Sequence, residues 1–179
     1  RKAAVMSVPV FVYGSLMCGA VLQTLLGRVP ALAPASLHGY RRCAIKGRLY
    51  PAVYPDSREG EGSAVWGAYM QLSPRDSFIF DEFEAPEYTK MTLPVTVYEP
   101  GEGAVFGDPI EDALAGESMD AGVYVWDRQA FGHMLDEGKE WRLSSLEGNA
   151  EAMQSYGNMC TAFMRELQPF LEQFDRENA

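Results

Sequence analysis

The sequence predicts an α+β fold, a mixed and partly antiparallel sheet or small barrel flanked by helices. Segments rich in β-branched and aromatic residues alternate with helical periodicity in the order strand, helix, several strands, helix, two strands and helical tail. The strands have hairpin-like spacing and few long crossovers, which favours antiparallel pairing. With 179 residues, 47% of them hydrophobic, the chain is long enough for one domain and too short to expect two.

The first strand is predicted over Val8–Tyr13, and a helix follows it at once. Gly14 and Ser15 end the strand, and leucine and valine then recur at helical spacing over Leu16–Leu26. Ser15 is placed to cap this helix and Gly27 to end it. Backbone N–H groups at such a bend also favour binding of an anion, so capping and ligand contact are both open for Ser15.

Three further strands are predicted over Leu37–Ile45, Leu49–Tyr54 and Ala64–Leu72, separated by glycine and by turn-rich sequence. A second helix then starts at Ser73, which offers a hydroxyl cap and is followed by proline and an acid in the first turn. Because Pro86 disfavours helical geometry at the residue before it, this helix is expected to end at about residue 83 or 84.

Two more strands, over Thr92–Tyr98 and Ala121–Trp126, flank a segment rich in glycine, proline and acids. This segment, residues 100–120, is predicted to be a mobile loop. The rest of the chain is predicted to be helical, with one apolar stripe that docks on the body of the domain. The stripe consists of Met153, Tyr156, Cys160, Phe163, Leu167, Phe170 and Phe174.

Composition excludes several classes of function. The formal net charge of -10 argues against nucleic acid or an anionic membrane surface as a partner, since both need a basic face. No run of about 20 apolar residues predicts a membrane span. His38 and His133 are the only histidines and show no metal-ligand spacing, so no metal site is predicted. Three scattered cysteines are typical of free thiols in a reducing compartment.

The N-terminal residues allow a second interpretation, a secretion signal. Arg1 and Lys2 are basic, and Ala3–Gly27 carries no charge. Polar and turn-forming residues such as Pro9 and Gln23 interrupt this run, whereas the core of a signal is uniformly apolar. A cytoplasmic location is therefore the prediction.

Five blocks of sequence carry a resemblance when they are read in order: VFVYGSL, LHGYRRCAIKGRLYPAV, VWGAYMQL, FDEFEAPEYTKMTLPVTV and AGVYVW. Together they resemble the γ-glutamylcyclotransferase-like family, in the branch of the γ-glutamylamine cyclotransferases and the plant avirulence-induced proteins. The resemblance covers residues 8–126, which we expect to form the family's domain. Residues 127–179 are expected to be a helical extension packed on the same domain.

The resemblance implies a small mixed β-barrel with flanking helices, and an enzyme that needs no metal or cofactor. The implied reaction releases 5-oxoproline and an amine from a small-molecule γ-glutamyl compound. The loop of Tyr13, Gly14, Ser15 and Leu16 would hold the α-amino and α-carboxylate end of the glutamyl group. Glu84 would transfer protons.

Glu84 has local reasons to suit that role. It lies at the predicted end of a helix, where the dipole disfavours a carboxylate, beside phenylalanines that exclude water; both effects raise a carboxyl pKa. Residue types alone favour a different interpretation, in which Glu84 is one of four acids on a solvated face with Asp81, Glu82 and Glu87. Glu82 is the nearest alternative as the catalytic acid.

Tyr88 and Tyr124 are secondary candidates for substrate binding, because the family has aromatic residues near its pocket at both places. Core packing explains either residue equally well. Arg41 and Arg42 are expected on opposite faces of a strand, as surface charges or with one of them reaching the distal part of the substrate.

The implied chemistry suits a chain with few histidines. The substrate's α-amine attacks its own γ-carbonyl, so the nucleophile is already held close, and one carboxyl that accepts and then donates a proton is sufficient. The leading prediction is therefore a γ-glutamyl cyclotransferase. A non-catalytic ligand-binding or regulatory protein, and a hydrolase or amidotransferase, are alternatives on the same fold. The acidic segment 99–120 mildly favours γ-glutamylamines over anionic dipeptides.

Overall fold

A computed structural model of the chain describes residues 6–58, 62–101, 105–110 and 116–179. Five strands close into a mixed barrel in the order β1-β5-β2-β6-β7, in which β1 and β7 are parallel and the other neighbours antiparallel. These strands are β1 (Val8–Val12), β2 (Ala33–His38), β5 (Ala64–Leu72), β6 (Tyr88–Val97) and β7 (Glu117–Trp126). The prediction of an α+β fold with a small mixed barrel is confirmed.

A second sheet of three strands lies beside the barrel, in the order β4-β3-β8. Its strands are β3 (Tyr40–Ile45), β4 (Pro51–Pro55) and β8 (Leu135–Asp136). The single strand predicted over Leu37–Ile45 is therefore wrong: it merges the end of β2 with β3. Gly39 separates the two with a φ of 80°, a left-handed conformation that breaks an extended strand and that glycine adopts at little cost.

The predicted loop over residues 100–120 is also partly wrong. Its last residues, from Glu117, belong to β7, and residues 102–104 and 111–115 lie outside the described part of the chain. The strand predicted from Thr92 begins earlier, at Tyr88, because β6 pairs with β7 along its whole length.

Helices flank the barrel. They are α1 (Gly19–Leu26), α2 (Pro74–Phe83), α3 (Arg128–Phe131), α4 (Leu143–Glu147) and α5 (Ala150–Glu177), and short 3₁₀ turns span Ser15–Met17 and Gly132–Met134. The start of α2 is as predicted, because the Ser73 hydroxyl accepts a hydrogen bond from the Asp76 N–H. None of the helices described is long and apolar enough to cross a bilayer.

The long helix α5 packs against α1 and α2 and completes the main core. The predicted apolar stripe is correct at Tyr156, Cys160 and Leu167, which are buried, but wrong at Phe170, which is 60% exposed. Leu171, at 1% exposure, takes its place. Leu171 follows Leu167 by four positions, about one helical turn, so the two side chains share a face.

Candidate functional site

A cavity of about 170 Å³ opens where β1 ends, between the barrel, the end of α2 and the long helix α5. All seven residues singled out from the sequence line it: Tyr13, Gly14, Ser15, Leu16, Glu84, Tyr88 and Tyr124. They come from the loop after β1, from the end of α2, and from β6 and β7. The fold therefore brings distant segments of the chain to one place.

The loop of residues 13–16 forms the buried wall of this cavity. The Tyr13 hydroxyl donates a hydrogen bond to the main-chain carbonyl of Tyr124, which ties the loop to β7. Ser15 does not cap α1, contrary to one of its two predicted roles: the helix begins at Gly19 with Cys18 as its N-cap. The hydroxyl of Ser15 instead shares a hydrogen bond with that of Tyr156 on α5.

Gly14 matters here because another part of the chain approaches it closely. A Cβ atom at this position would lie 2.7 Å from Cδ of Pro51, which is closer than real Cβ atoms come to other atoms. Its φ of -130° lies outside the left-handed region, so the close approach of Pro51, and not a left-handed backbone, is what favours glycine here. A 3₁₀ turn follows directly, and the first N–H groups of such a turn have no acceptor within it.

Glu84 ends α2, and its main-chain N–H closes the helix on the carbonyl of Phe80. Burial, assisted by the negative charge of Asp81, raises the pKa of the Glu84 carboxyl to about 8. In the described part of the chain, this carboxyl has no hydrogen-bond or ion-pair partner. Phe83 lines the cavity beside it, whereas Phe80 lies in the core and does not. Near neutral pH the Glu84 carboxyl can therefore be present in both its protonated and its ionised form.

The other three acids of this segment have different surroundings. Glu82 is exposed. Asp81 accepts hydrogen bonds from the Tyr124 hydroxyl at 2.6 Å and from the Lys90 ammonium at 2.8 Å. The carboxylate of Glu87 lies 3.6 Å from the guanidinium of Arg48. Of the four acids, only Glu84 lines the cavity at the end of β1.

Tyr88 and Tyr124 line the cavity while their hydroxyls are already engaged. The Tyr88 hydroxyl donates to the carbonyl of Pro51 at 2.7 Å, and that of Tyr124 to Asp81. Burial raises the pKa of both phenols, so both stay protonated at neutral pH. Within the described ranges, no group of three histidine, cysteine, aspartate or glutamate side chains is arranged to hold a metal ion.

Arg42 supports the site from behind, which the sequence did not predict. Its guanidinium donates hydrogen bonds to the main-chain carbonyls of Tyr13 at 2.9 Å, Trp66 at 3.0 Å and Gly107 at 2.9 Å. Burial lowers its pKa from the ordinary value. The expectation that Arg42 is a surface charge is therefore wrong, and Arg42 is not among the residues that line the cavity. It holds the loop of residues 13–16 in position.

Other lining residues were missed as site residues, among them Tyr50, before β4, and Tyr156, Met159 and Phe163 on α5. The periodicity of α5 did identify Tyr156 and Phe163, but as residues that dock on the core. Both interpretations hold for Tyr156, which packs in the core and also borders the cavity. Nothing in the sequence near Met159 distinguishes it from a surface residue.

Comparison with known proteins agrees with this architecture. The family described as "Gamma-glutamyl cyclotransferase, AIG2-like" matches residues 10–143, which is more than half of the chain. The chain belongs to this family. It is 32% identical over 144 residues to AIG2-like protein D of Arabidopsis thaliana, covering 78% of this chain and 82% of that protein. It is 35% identical over 150 residues to Protein AIG2 A of the same plant, covering 82% and 77% respectively.

A solved structure shows the same fold at lower sequence identity. An Arabidopsis thaliana protein known from its solution structure superposes with a TM-score of 0.57 at 23% identity, and the match covers 93% of this chain and 94% of that one. The match to the family model confirms the family to which the five sequence blocks point. The roles of the individual site residues stay predictions.

Proposed function

We propose that this protein is a γ-glutamyl cyclotransferase, which releases 5-oxoproline and an amine from a γ-glutamyl amide. The observation that carries the proposal is that Glu84, with its pKa raised to about 8, lines the same cavity as the buried loop of residues 13–16. The first is suited to moving protons near neutral pH. The second offers main-chain N–H groups to an anion, such as the α-carboxylate of a glutamyl group.

The reaction joins the α-nitrogen of the substrate to its γ-carbon and breaks the bond between the γ-carbon and the departing nitrogen. The α-ammonium loses one proton to water before it attacks, and a second as the ring closes. Glu84, as carboxylate, accepts this second proton and donates it to the departing nitrogen as the bond breaks. No water molecule is consumed, and Glu84 returns to its starting state.

Burial of the loop supports a division of the cavity between the two ends of the substrate. Gly14, Ser15 and Leu16 are buried, so the glutamyl head would lie at the closed end. Glu84, whose pKa responds to burial, would meet the two nitrogens that exchange the proton. The hydrogen bonds of Tyr13 and Arg42 would keep the loop in place while the flexible glutamyl chain folds into a ring.

The test is to incubate the protein with a panel of γ-glutamyl amides and to measure 5-oxoproline and free glutamate. We expect 5-oxoproline, and we expect Glu84→Gln to lower kcat/KM by about 10²- to 10⁴-fold, the usual contribution of a general acid–base group. Glu82→Gln, an exposed acid two residues away, is the matched control and should keep full activity. Saturable binding without product would favour the ligand-binding alternative, and glutamate as product would favour the hydrolase.

A further inference from the structure

We infer that the cavity selects γ-glutamyl amides whose departing amine carries an apolar or aromatic group and no carboxylate, and that Met159 and Phe163 of α5 form the subsite for that group. This inference rests on the proposed function and names its substrate class. The two residues lie on the part of the chain that follows the family match over residues 10–143. The following observations support it.

The first is the position of α5 along the cavity. The loop of residues 13–16 is buried, whereas Met159 is 43% exposed and Phe163 is half-buried. The closed end is therefore at the loop and the open end is at α5. A glutamyl head bound at the loop directs the departing amine past Glu84 towards the open end, where Met159 and Phe163 lie.

The second is the chemistry of the wall near that end. The rings of Phe163 and Phe83 meet edge to face, with their centroids 5.1 Å apart, and the ring of Tyr156 also meets that of Phe83 edge to face, at 6.4 Å. Such contacts fix the orientation of the rings and leave an apolar surface. The thioether of Met159 adds a polarisable, adaptable group that packs well on an aromatic ligand.

The third is charge. Among the described residues that line this cavity there is no lysine, arginine or histidine, and Glu84 is the only carboxyl. Two cations close to the site are paired, Arg48 with Glu87 at 3.6 Å and Lys90 with Asp81 at 2.8 Å. A carboxylate on the departing amine would enter this apolar end without a partner, which costs free energy. Dipeptide-like substrates, which carry such a carboxylate, are therefore disfavoured relative to neutral amides.

The test compares three synthetic amides: γ-glutamyl-2-phenylethylamine, γ-glutamylphenylalanine, which adds one carboxylate, and γ-glutamylethylamine, which lacks the ring. We expect kcat/KM for the phenylethyl amide to exceed that of the ethyl amide by about tenfold or more, the usual gain from burying a phenyl group. It should also exceed that of γ-glutamylphenylalanine, because the added carboxylate has no partner at this end of the cavity. Met159→Ala and Phe163→Ala should lower the ratio of phenylethyl to ethyl amide. Phe170→Ala, an exposed phenylalanine on the same helix, should leave it unchanged.

A charge-introducing variant keeps the test decisive if truncation disturbs folding. Met159 is at an exposed helix position that tolerates lysine. Met159→Lys should raise activity on γ-glutamylphenylalanine relative to the phenylethyl amide, because the ammonium attracts the carboxylate. Calorimetric binding of the three amides to Glu84→Gln separates the two proposals. Turnover without preference overturns the subsite and leaves the proposed function. Binding preference without turnover supports the subsite and overturns the function, and the absence of both overturns the two together.

Discussion

Replacing Glu84 by glutamine is expected to stabilise the folded protein at alkaline pH and not at acidic pH. Burial and the charge of Asp81 raise the pKa of this carboxyl from 4.5 to about 8 in the folded chain, whereas the unfolded chain has the ordinary value. Between these two values the folded chain binds more protons than the unfolded chain. The free energy of unfolding of the wild type therefore falls as pH rises through this window.

The magnitude follows from the same shift. One carboxyl changes the free energy of unfolding by at most about 1.4 kcal/mol per pH unit. Between the two pKa values the total loss is therefore at most about 5 kcal/mol. Because Glu84 is half-buried and solvent screens part of its charge, we expect about 2–3 kcal/mol. Glutamine does not ionise, so Glu84→Gln should escape this loss.

The assay is urea unfolding of the wild type, Glu84→Gln and Glu82→Gln at about pH 5 and about pH 8.5, with free energies obtained by linear extrapolation. The difference between Glu84→Gln and the wild type should shift in favour of the variant at the higher pH. Glu82→Gln, which removes an exposed carboxyl, should show no such shift. An equal difference at both pH values would contradict this prediction, since it would mean that Glu84 titrates alike in the folded and unfolded chains.

Three further predictions concern packing around the site and the helix α5. Gly14→Ala adds a Cβ atom 2.7 Å from the ring of Pro51, so kcat/KM for 5-oxoproline release should fall about ten- to hundredfold with an unchanged circular dichroism spectrum; full activity would contradict the close approach. Arg42→Ala leaves three carbonyls without this donor and should lower the free energy of unfolding in urea by about 3–5 kcal/mol. Arg42→Lys should recover less than half of this loss, because an ammonium lacks the forked geometry of a guanidinium. An Arg42→Lys variant as stable as the wild type would contradict this. Leu171→Ala should cost about 2–5 kcal/mol and Phe170→Ala less than about 0.5 kcal/mol, and equal costs would reverse the assignment of the buried face.

Local signals in the sequence were sufficient for several elements. The strand over Ala64–Leu72 has the predicted bounds, because its composition is strongly β-forming and turns flank it. The start of α2 was equally clear, since Ser73, the following proline and the early acid act within one turn. Glu84 ends that helix as the position of Pro86 predicts.

Other features depend on contacts between distant segments, which periodicity does not reveal. The hydroxyl of Ser15 forms a hydrogen bond with that of Tyr156, which is distant in the sequence. The residues next to Ser15 predict a helix cap instead. Arg42 bonds to carbonyls of three separate segments, and nothing in its own strand indicates them. Along α5, steps of three and of four residues both fit a helical stripe, so only the packing surface decides between Phe170 and Leu171.

The pH dependence of 5-oxoproline release tests most directly the claim that Glu84 transfers the proton. In the wild type, kcat/KM should rise with pH with a midpoint near 8, as the carboxyl becomes the base. Asp81→Asn removes a charge that raises this pKa and leaves the Lys90 ammonium unpaired nearby, so both effects should move the midpoint to lower pH. The ionisation of the free substrate's own amine is the same in both proteins. A midpoint that Asp81→Asn leaves in place would contradict the account.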